Sequence, residues 1–259
     1  MFLKPLKQLL SSAVHNHDSL RRLKHEMELM PVRILGQRWA GGRKWSEHGE
    51  DELLLKLIEP EMLHGYYVDV GANLPGKRSN TFRLYCHGMS GLCVEPNLEL
   101  AALLERHRSR DSVVCACIGS ENGAATLNRF NYHVFSTCSE AEAESRAQSS
   151  RSTLKTKLLR RAIVPSIRLD TLLAHWESEL GKAPVGARES RPFVLLKVDT
   201  EGWDLQVLQS NDWSKHSPQY VLTESTGAEE EIGQFLGEKG YQLLRRFPVN
   251  QLYSKEKQP

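Results

Sequence analysis

Short apolar runs alternate with amphipathic stretches along most of the chain. The runs have strand length, whereas the stretches between them repeat apolar residues every three or four positions, as a helix requires. The predicted strands are 66–70, 91–94, 113–116, 125–129, 193–198 and 220–224, and the predicted helices include 50–59, 169–180 and 230–239. Strands that alternate with helices indicate an α/β fold with a mostly parallel sheet.

Three segments depart from this alternation. Residues 241–246 and 250–254 flank a turn, which predicts a C-terminal antiparallel hairpin. Residues 1–30 show helical spacing of leucine and methionine, and a glycine pair follows at 41–42. We therefore predict a basic N-terminal helical arm over 1–44 before one domain over 45–259. Residues 139–162 are polar and basic and predict an insertion, after which regular structure resumes at 164.

The composition is that of an ordinary globular protein. Hydrophobic residues make up 40% and charged residues 25% of the chain, and no apolar run approaches the ~20 residues that span a bilayer. The five cysteines are odd in number. They favour a reducing compartment over a disulfide framework, so the prediction is a cytoplasmic protein.

Positive charge is concentrated in two segments. Residues 1–44 carry nine Lys/Arg and three Asp/Glu, a net charge of +6, whereas the whole chain carries only +2. Residues 146–161 carry six Lys/Arg and no acid. Such segments indicate an anionic partner such as an anionic membrane surface, a sugar phosphate or nucleic acid, and a solvated face explains them equally well.

The apolar residues at 20–30 recur at near-heptad spacing. This spacing fits a helix that forms a homodimer or one that packs on the chain's own domain.

The most informative motif is a strand that ends in an acid and a glycine. Tyr66–Val70 contains Asp69 and is followed by Gly71, and the next predicted strand ends at Glu95, 24 residues after Gly71. Ligands of open α/β sheets bind at the carboxyl ends of the strands, where an acid after the second strand can accept the hydroxyls of a ribose. The pair predicts a nucleoside-type ligand, and a buried strand with a turn glycine is the alternative.

The glycine spacing narrows the choice of nucleoside. A dinucleotide site requires G-x-G-x-x-G to cradle a pyrophosphate, but Asn73 stands at the middle glycine position and only Gly71 and Gly76 remain. A ribose acid without a phosphate cradle fits S-adenosylmethionine, which has a ribose and an amino-acid tail but no phosphate.

Five motifs, in this order, resemble those of FkbM-type methyltransferases. They are Trp45–Asp51, Tyr67–Asn73, Ser79–Thr81, Val94–Asn97 and Lys197–Gly202, within a resemblance that runs from Trp45 to Tyr253. One departure is Glu47, where the family more often has glutamine. The resemblance implies a class I methyltransferase-like, Rossmann-like fold and an S-adenosylmethionine-dependent O-methyltransferase that commonly acts on sugar hydroxyls. It implies a donor site formed by Asp69, Gly71, Asn73, Asn80, Glu95, Asn97 and Ile118.

The candidate catalytic residues are Asp199, Glu201 and His48. Methyl transfer to a hydroxyl needs a positioned acceptor and a base. Asp199 and Glu201 follow the most apolar strand of the chain. We expect Asp199 to act on the acceptor hydroxyl and Glu201 to support the site. The alternative for both residues is capping of the helix that follows. His48 lies in the first motif, and His133 is a further candidate with no stronger case. The two acids lack a third ligand at useful spacing, so no metal is predicted.

Two classes of function remain open. The first is a methyltransferase acting on a sugar hydroxyl of a surface glycan or lipid-linked saccharide, cytoplasmic or peripheral at the inner face of the membrane. The second is a nucleic-acid-binding protein or RNA methyltransferase that uses the basic segments. Residues 146–161 contain no aromatic residue, which counts against the second class because base recognition usually needs stacking side chains.

Overall fold

The computed structural model describes residues 42–148, 156–180, 191–224 and 227–255. Its helices are α1 (Glu50–Leu57), α2 (Phe82–Cys86), α3 (Leu98–His107), α4 (Glu140–Gln148), α5 (Leu169–Leu180), α6 (Asp204–Gln209) and α7 (Glu229–Glu238). Its strands are β1 (Tyr66–Val70), β2 (Leu92–Val94), β3 (Ser112–Val114), β4 (Cys117–Ile118), β5 (Gly123–Phe130), β6 (Leu158–Ile167), β7 (Phe193–Val198), β8 (Tyr220–Glu224), β9 (Tyr241–Arg246) and β10 (Asn250–Lys255). Nearly all of the predicted N-terminal arm lies outside the described residues.

The main sheet has seven strands in the order β3-β2-β1-β7-β8-β10-β9. The first five of these are parallel to one another, whereas β10 is antiparallel to both β8 and β9. The predicted mostly parallel sheet and the C-terminal antiparallel hairpin are therefore confirmed.

The strand order reverses between β1 and β7. From β1 the chain continues outward through β2 and β3, and it returns to the other side of β1 as β7 and then β8. Loops that leave the two central strands diverge in opposite directions and open a crevice at their carboxyl ends, where open α/β sheets bind ligands. The crevice in this protein lies beyond Val70 and Val198.

Alternation along the central strands assigns side chains to two apolar layers. Tyr66, Val68 and Val70 pack into one cluster with residues of α5, α6 and α7. Tyr67 packs into the other cluster, which contains residues of α1 and α2. Because successive side chains of a strand point to opposite faces, Asp69 shares the face of Tyr67.

The predicted insertion at 139–162 is largely regular structure where it is described. Residues 140–148 form α4, and β6 begins at Leu158, so the predicted restart of regular structure at 164 is wrong by six residues. Strand β6 pairs with β5 along its length and with β4, forming a second, three-stranded sheet. The basic composition hid this strand because much of β6, including its two arginines, is exposed.

The structure also joins Cys117 and Cys138 in a disulfide, whereas Cys86, Cys93 and Cys115 are free. The odd number of cysteines favours free thiols over a disulfide framework, so the sequence did not predict this pairing. Within the described residues, no helix is both long and apolar enough to span a membrane.

Candidate functional site

A cleft of about 880 Å³ opens at the carboxyl ends of β1 and β7. A smaller pocket of about 60 Å³ adjoins it, and Gly71, Asn73 and Asp199 line both spaces. The crevice expected from the strand order is therefore present. It is bordered on one side by the single turn of 3-10 helix at His133–Phe135.

The turn after β1 is fixed by backbone hydrogen bonds to the neighbouring strand. Gly71 adopts a φ of 73°, a left-handed conformation that favours glycine. The N–H groups of Gly71 and Ala72 both donate to the carbonyl of Val94, at 2.9 and 3.1 Å. These bonds bring the turn beside the end of β2, where Glu95 follows.

Glu95 is buried, and two backbone N–H groups hold its carboxylate. Oε2 accepts from the N–H of Asn73 and Oε1 from the N–H of Asn97, each at 2.9 Å. Burial raises the pKa of Glu95 to about 7, against the lowering effect of these hydrogen bonds. The carboxylate faces the smaller pocket and is oriented by the turn after β1.

The remaining residues of the predicted donor site border the same spaces. Asn80 lines the larger cleft, Ile118 lines the smaller pocket, and Asn97 lines both while its side chain caps α3. The buried Oδ1 of Asn73 has no hydrogen-bond partner in the structure. An unpaired buried acceptor is costly, and a polar ligand in the cleft could donate a hydrogen bond to this atom.

Asp69 lies deeper than the other donor-site candidates. Its Oδ2 accepts a 2.5 Å hydrogen bond from Thr81, and its Oδ1 lies 3.2 Å from Nζ of Lys197. Behind it the fully buried Arg108 donates to Tyr67, Thr81 and Asp111. Asp69 is thus anchored in a buried polar network and borders the cleft floor.

Three carboxylates meet at the ends of β7 and β8. The parallel register pairs Val198 with Thr223, so Asp199 and Glu224 leave adjacent strands side by side. One oxygen from each of Asp199, Glu201 and Glu224 lies within 4.8 Å of the others. Glu224 is therefore the third acid beside Asp199 and Glu201, which the sequence spacing did not reveal. Its position at the end of a predicted strand was the one sequence feature that could have indicated it.

Crowding of these acids changes how readily they ionise. Burial, reinforced by the charge of Asp199, raises the pKa of both Glu201 and Glu224 well above the ordinary value. Burial and Asp199 likewise raise the pKa of the neighbouring Asp204 to about 7. Such a cluster can share protons, and carboxylate groups at this spacing also suit a divalent cation.

A helix of the predicted insertion contributes to the acidic side of the cleft. Arg146 of α4 donates to Oε2 of Glu201 at 2.8 Å, to Glu142 at 2.6 Å and to the carbonyl of Phe135 at 2.8 Å. Arg146 therefore links α4, the turn at Phe135 and the acidic cluster, a role that its place in a basic run did not reveal.

Unusual backbone conformations concentrate at the cleft. Asn73, Arg78 and Glu201 are the non-glycine residues with positive φ among the described residues, and all three line it. Such conformations cost free energy and cluster at functional sites. Glu201, with a φ of 57°, is held through its carbonyl, which accepts a 2.9 Å hydrogen bond from Thr137.

The structure places His48 away from this cleft. His48 lies in a shallow groove with Lys44 and Phe247, beside α1. Its motif stabilises the start of α1, because the N–H of His48 donates to Glu50 and the hydroxyl of Ser46 donates to Asp51. His133, in contrast, lines both spaces of the cleft.

Comparison with known proteins agrees with this geometry. The family model described as the methyltransferase FkbM domain matches residues 69–243, which are 175 of the 259 residues. The match begins at Asp69 and includes Glu95, Asp199 and Glu224. No curated protein matches the chain. Because this family model covers more than half of the chain, the chain belongs to the FkbM methyltransferase family.

Proposed function

We propose that this protein transfers a methyl group from S-adenosylmethionine to a sugar hydroxyl of a surface glycan or lipid-linked saccharide. One observation carries the proposal. Glu95 and Asp199, at the ends of the two strands that flank β1, line the same pocket. An acid suited to ribose hydroxyls and an acid suited to an acceptor hydroxyl therefore border one space.

The chemistry of the residues fits this donor. Each oxygen of Glu95 uses one lone pair on a backbone N–H and keeps capacity for a ribose hydroxyl. The unpartnered Oδ1 of Asn73 suits the ammonium of the amino-acid tail, and Ile118 gives the smaller pocket an apolar wall. When bound, the donor supplies a methyl group already activated by its sulfonium.

On the acceptor side, the proposal gives Asp199 the role of base or orienting group. Its side chain is partly exposed to the cleft. It would accept the hydroxyl proton as the hydroxyl oxygen bonds the methyl carbon and the carbon–sulfur bond breaks toward sulfur. Glu201 supports it from a strained position next to Arg146. Most of the rate gain then comes from holding donor and hydroxyl in line.

We further propose that residues 1–44 and 146–161 bring the enzyme to an anionic membrane surface, which places it at the inner face of the membrane. In the described part of the second segment, Lys157 and Arg160 are exposed beside Leu159, which is 53% exposed and also lines the cleft. Basic residues next to exposed apolar ones suit shallow contact with anionic lipids.

The donor assignment is tested by calorimetry with S-adenosylhomocysteine, the product form of the donor. Replacing Glu95 by alanine leaves two ribose hydroxyls and two backbone N–H groups without their acceptor. Affinity should therefore fall by about 1–3 kcal/mol, or ~5- to 150-fold. Glu105→Ala removes an exposed acid of α3 and should leave affinity unchanged. Failure of the wild type to bind, or an unchanged affinity in Glu95→Ala, would overturn the assignment.

A further inference from the structure

A buried lysine stands between the donor side and the acceptor side of the cleft. Lys197 of β7 is 5% exposed and is paired in register with Asp69 of β1. Its Nζ donates to the carbonyl of Gly71 at 2.8 Å and lies 3.2 Å from Asp69 and 3.5 Å from Asp199. One ammonium therefore contacts the donor turn, the buried acid of β1 and the acceptor-side acid.

The local sequence dictates this arrangement. Lys197 and Asp199 are two residues apart, so their side chains leave the strand on the same face, which is also the face of Asp69. Burial alone would lower the pKa of Lys197, but the charges of Asp69 and Asp199 raise it above the ordinary value. The side chain therefore stays an ammonium.

The charge of Lys197 matters because acids outnumber bases at this end of the sheet. Arg146 pairs with Glu201 and Arg108 lies near Asp69, whereas among the described residues Lys197 is the cation in contact with Asp199. Without Lys197, the charge of Asp199 would attract a sulfonium strongly. Since that positive charge diminishes as the methyl group leaves, such attraction stabilises the ground state more than the transition state and slows transfer.

We propose that Lys197 is a positioning residue that offsets the acidic charge facing the methyl donor and holds the turn at Gly71 in register with Asp199. The proposal rests on the proposed function. Its consequence is a limited preference of the cleft for the cationic donor over its uncharged thioether product. Lys197 thereby prevents the cleft from binding the donor so tightly that methyl transfer becomes slower.

The test compares affinities for S-adenosylmethionine and S-adenosylhomocysteine by calorimetry at pH 8. Lys197→Gln keeps a hydrogen-bond donor for the Gly71 carbonyl but removes the charge, and Lys197→Met removes both. Both variants should shift the affinity ratio toward the sulfonium by at least about fivefold, since one charge acts over several ångströms in a partly buried site. Lys197→Arg and the exposed control Lys56→Gln should keep the wild-type ratio.

The outcomes separate this inference from the proposed function. If the wild type binds neither compound, the methyl-donor assignment itself fails. If the wild type binds both and the ratio stays within twofold in folded Lys197→Gln, the assignment stands and the role of Lys197 is refuted. Failure of both neutral variants to fold, with Lys197→Arg folded and binding normally, would assign Lys197 to fold stability alone and overturn the proposal.

Discussion

A Cβ atom on Gly71 would lie 1.8 Å from the carbonyl oxygen of Asp199. The turn that follows β1 therefore packs backbone to backbone against the end of β7, with no room for a side chain. This contact sets the separation between the ends of β1 and β7, where the cleft opens. The clash with the Asp199 carbonyl is a stronger reason for glycine at position 71 than the positive φ of the turn.

Gly71→Ala should therefore force the ends of β1 and β7 apart and abolish most donor binding. Gly88→Ala is the matched control, because Gly88 also has a positive φ but its Cβ would meet nothing within 4 Å. The control should show only the backbone cost, about 1–2 kcal/mol, in chemical denaturation. Titration with S-adenosylhomocysteine separates the two variants. Equal affinities would contradict the packing argument.

Donor affinity should depend on pH through Glu95, whose pKa is raised to about 7 by burial. Ribose hydroxyls donate to the ionised carboxylate, whereas protonation of Glu95 turns one of its oxygens into a hydroxyl donor and makes the other a weaker, uncharged acceptor. Between pH 8 and pH 6, affinity for S-adenosylhomocysteine should fall by up to about tenfold, as expected for one proton. Glu95→Gln should bind weakly with a flat profile. A wild-type affinity that does not fall over this range would show that Glu95 is not the ribose acid.

Glu224 should limit the stability of the protein at alkaline pH. Its carboxyl has a raised pKa in the folded state, from the ordinary 4.5 to about 9. The folded state then binds more protons than the unfolded state, so the free energy of unfolding falls as pH rises from about 5 toward 9. Glu224→Gln should raise Tm at pH 8, by about 2–4 °C per kcal/mol gained, and change it little at pH 5. A loss of Tm at pH 8 would contradict this electrostatic account.

Membrane association should be salt-dependent if the basic segments meet anionic lipid. In sedimentation with vesicles that contain phosphatidylserine, binding of the full chain should decrease steeply as salt rises from 50 to 500 mM, because exposed charges are screened within ~10 Å at 0.1 M. The double variant Lys157→Gln, Arg160→Gln should bind more weakly than the control Lys56→Gln. Equal partitioning to neutral and anionic vesicles would refute the membrane proposal.

The sequence predicted most strands and the acids that end them, because strand length and apolar content are local properties. Phe193–Val198, Tyr220–Glu224 and the C-terminal hairpin were correctly predicted. Strand β6 was misplaced because its arginines and exposed face mimic a loop. Relations between distant residues were also missed. The sequence showed Lys197 only as the first residue of a family motif, because its contacts with Asp69 and Gly71 depend on strand register.

Glu224 and Arg146 show the same limit in the site itself. Glu224 ends a predicted strand, and its proximity to Asp199 follows once β8 is placed next to β7. Arg146 offered no comparable signal, because a helix in a basic segment carries no indication that one of its arginines reaches Glu201. The pairing of Cys117 with Cys138 likewise depends on how the second sheet meets the cleft.

The central claim is that Asp199 acts on the acceptor hydroxyl in transfer from S-adenosylmethionine. The most direct measurement follows a labelled methyl group from this donor into a lipid-linked saccharide extract of cells that express the chain, with the wild type beside Asp199→Asn. The variant keeps the shape of the side chain and should bind S-adenosylhomocysteine normally while losing ~10²–10⁴-fold in rate. Transfer by Asp199→Asn at a near wild-type rate, or loss of its donor binding, would contradict the claim.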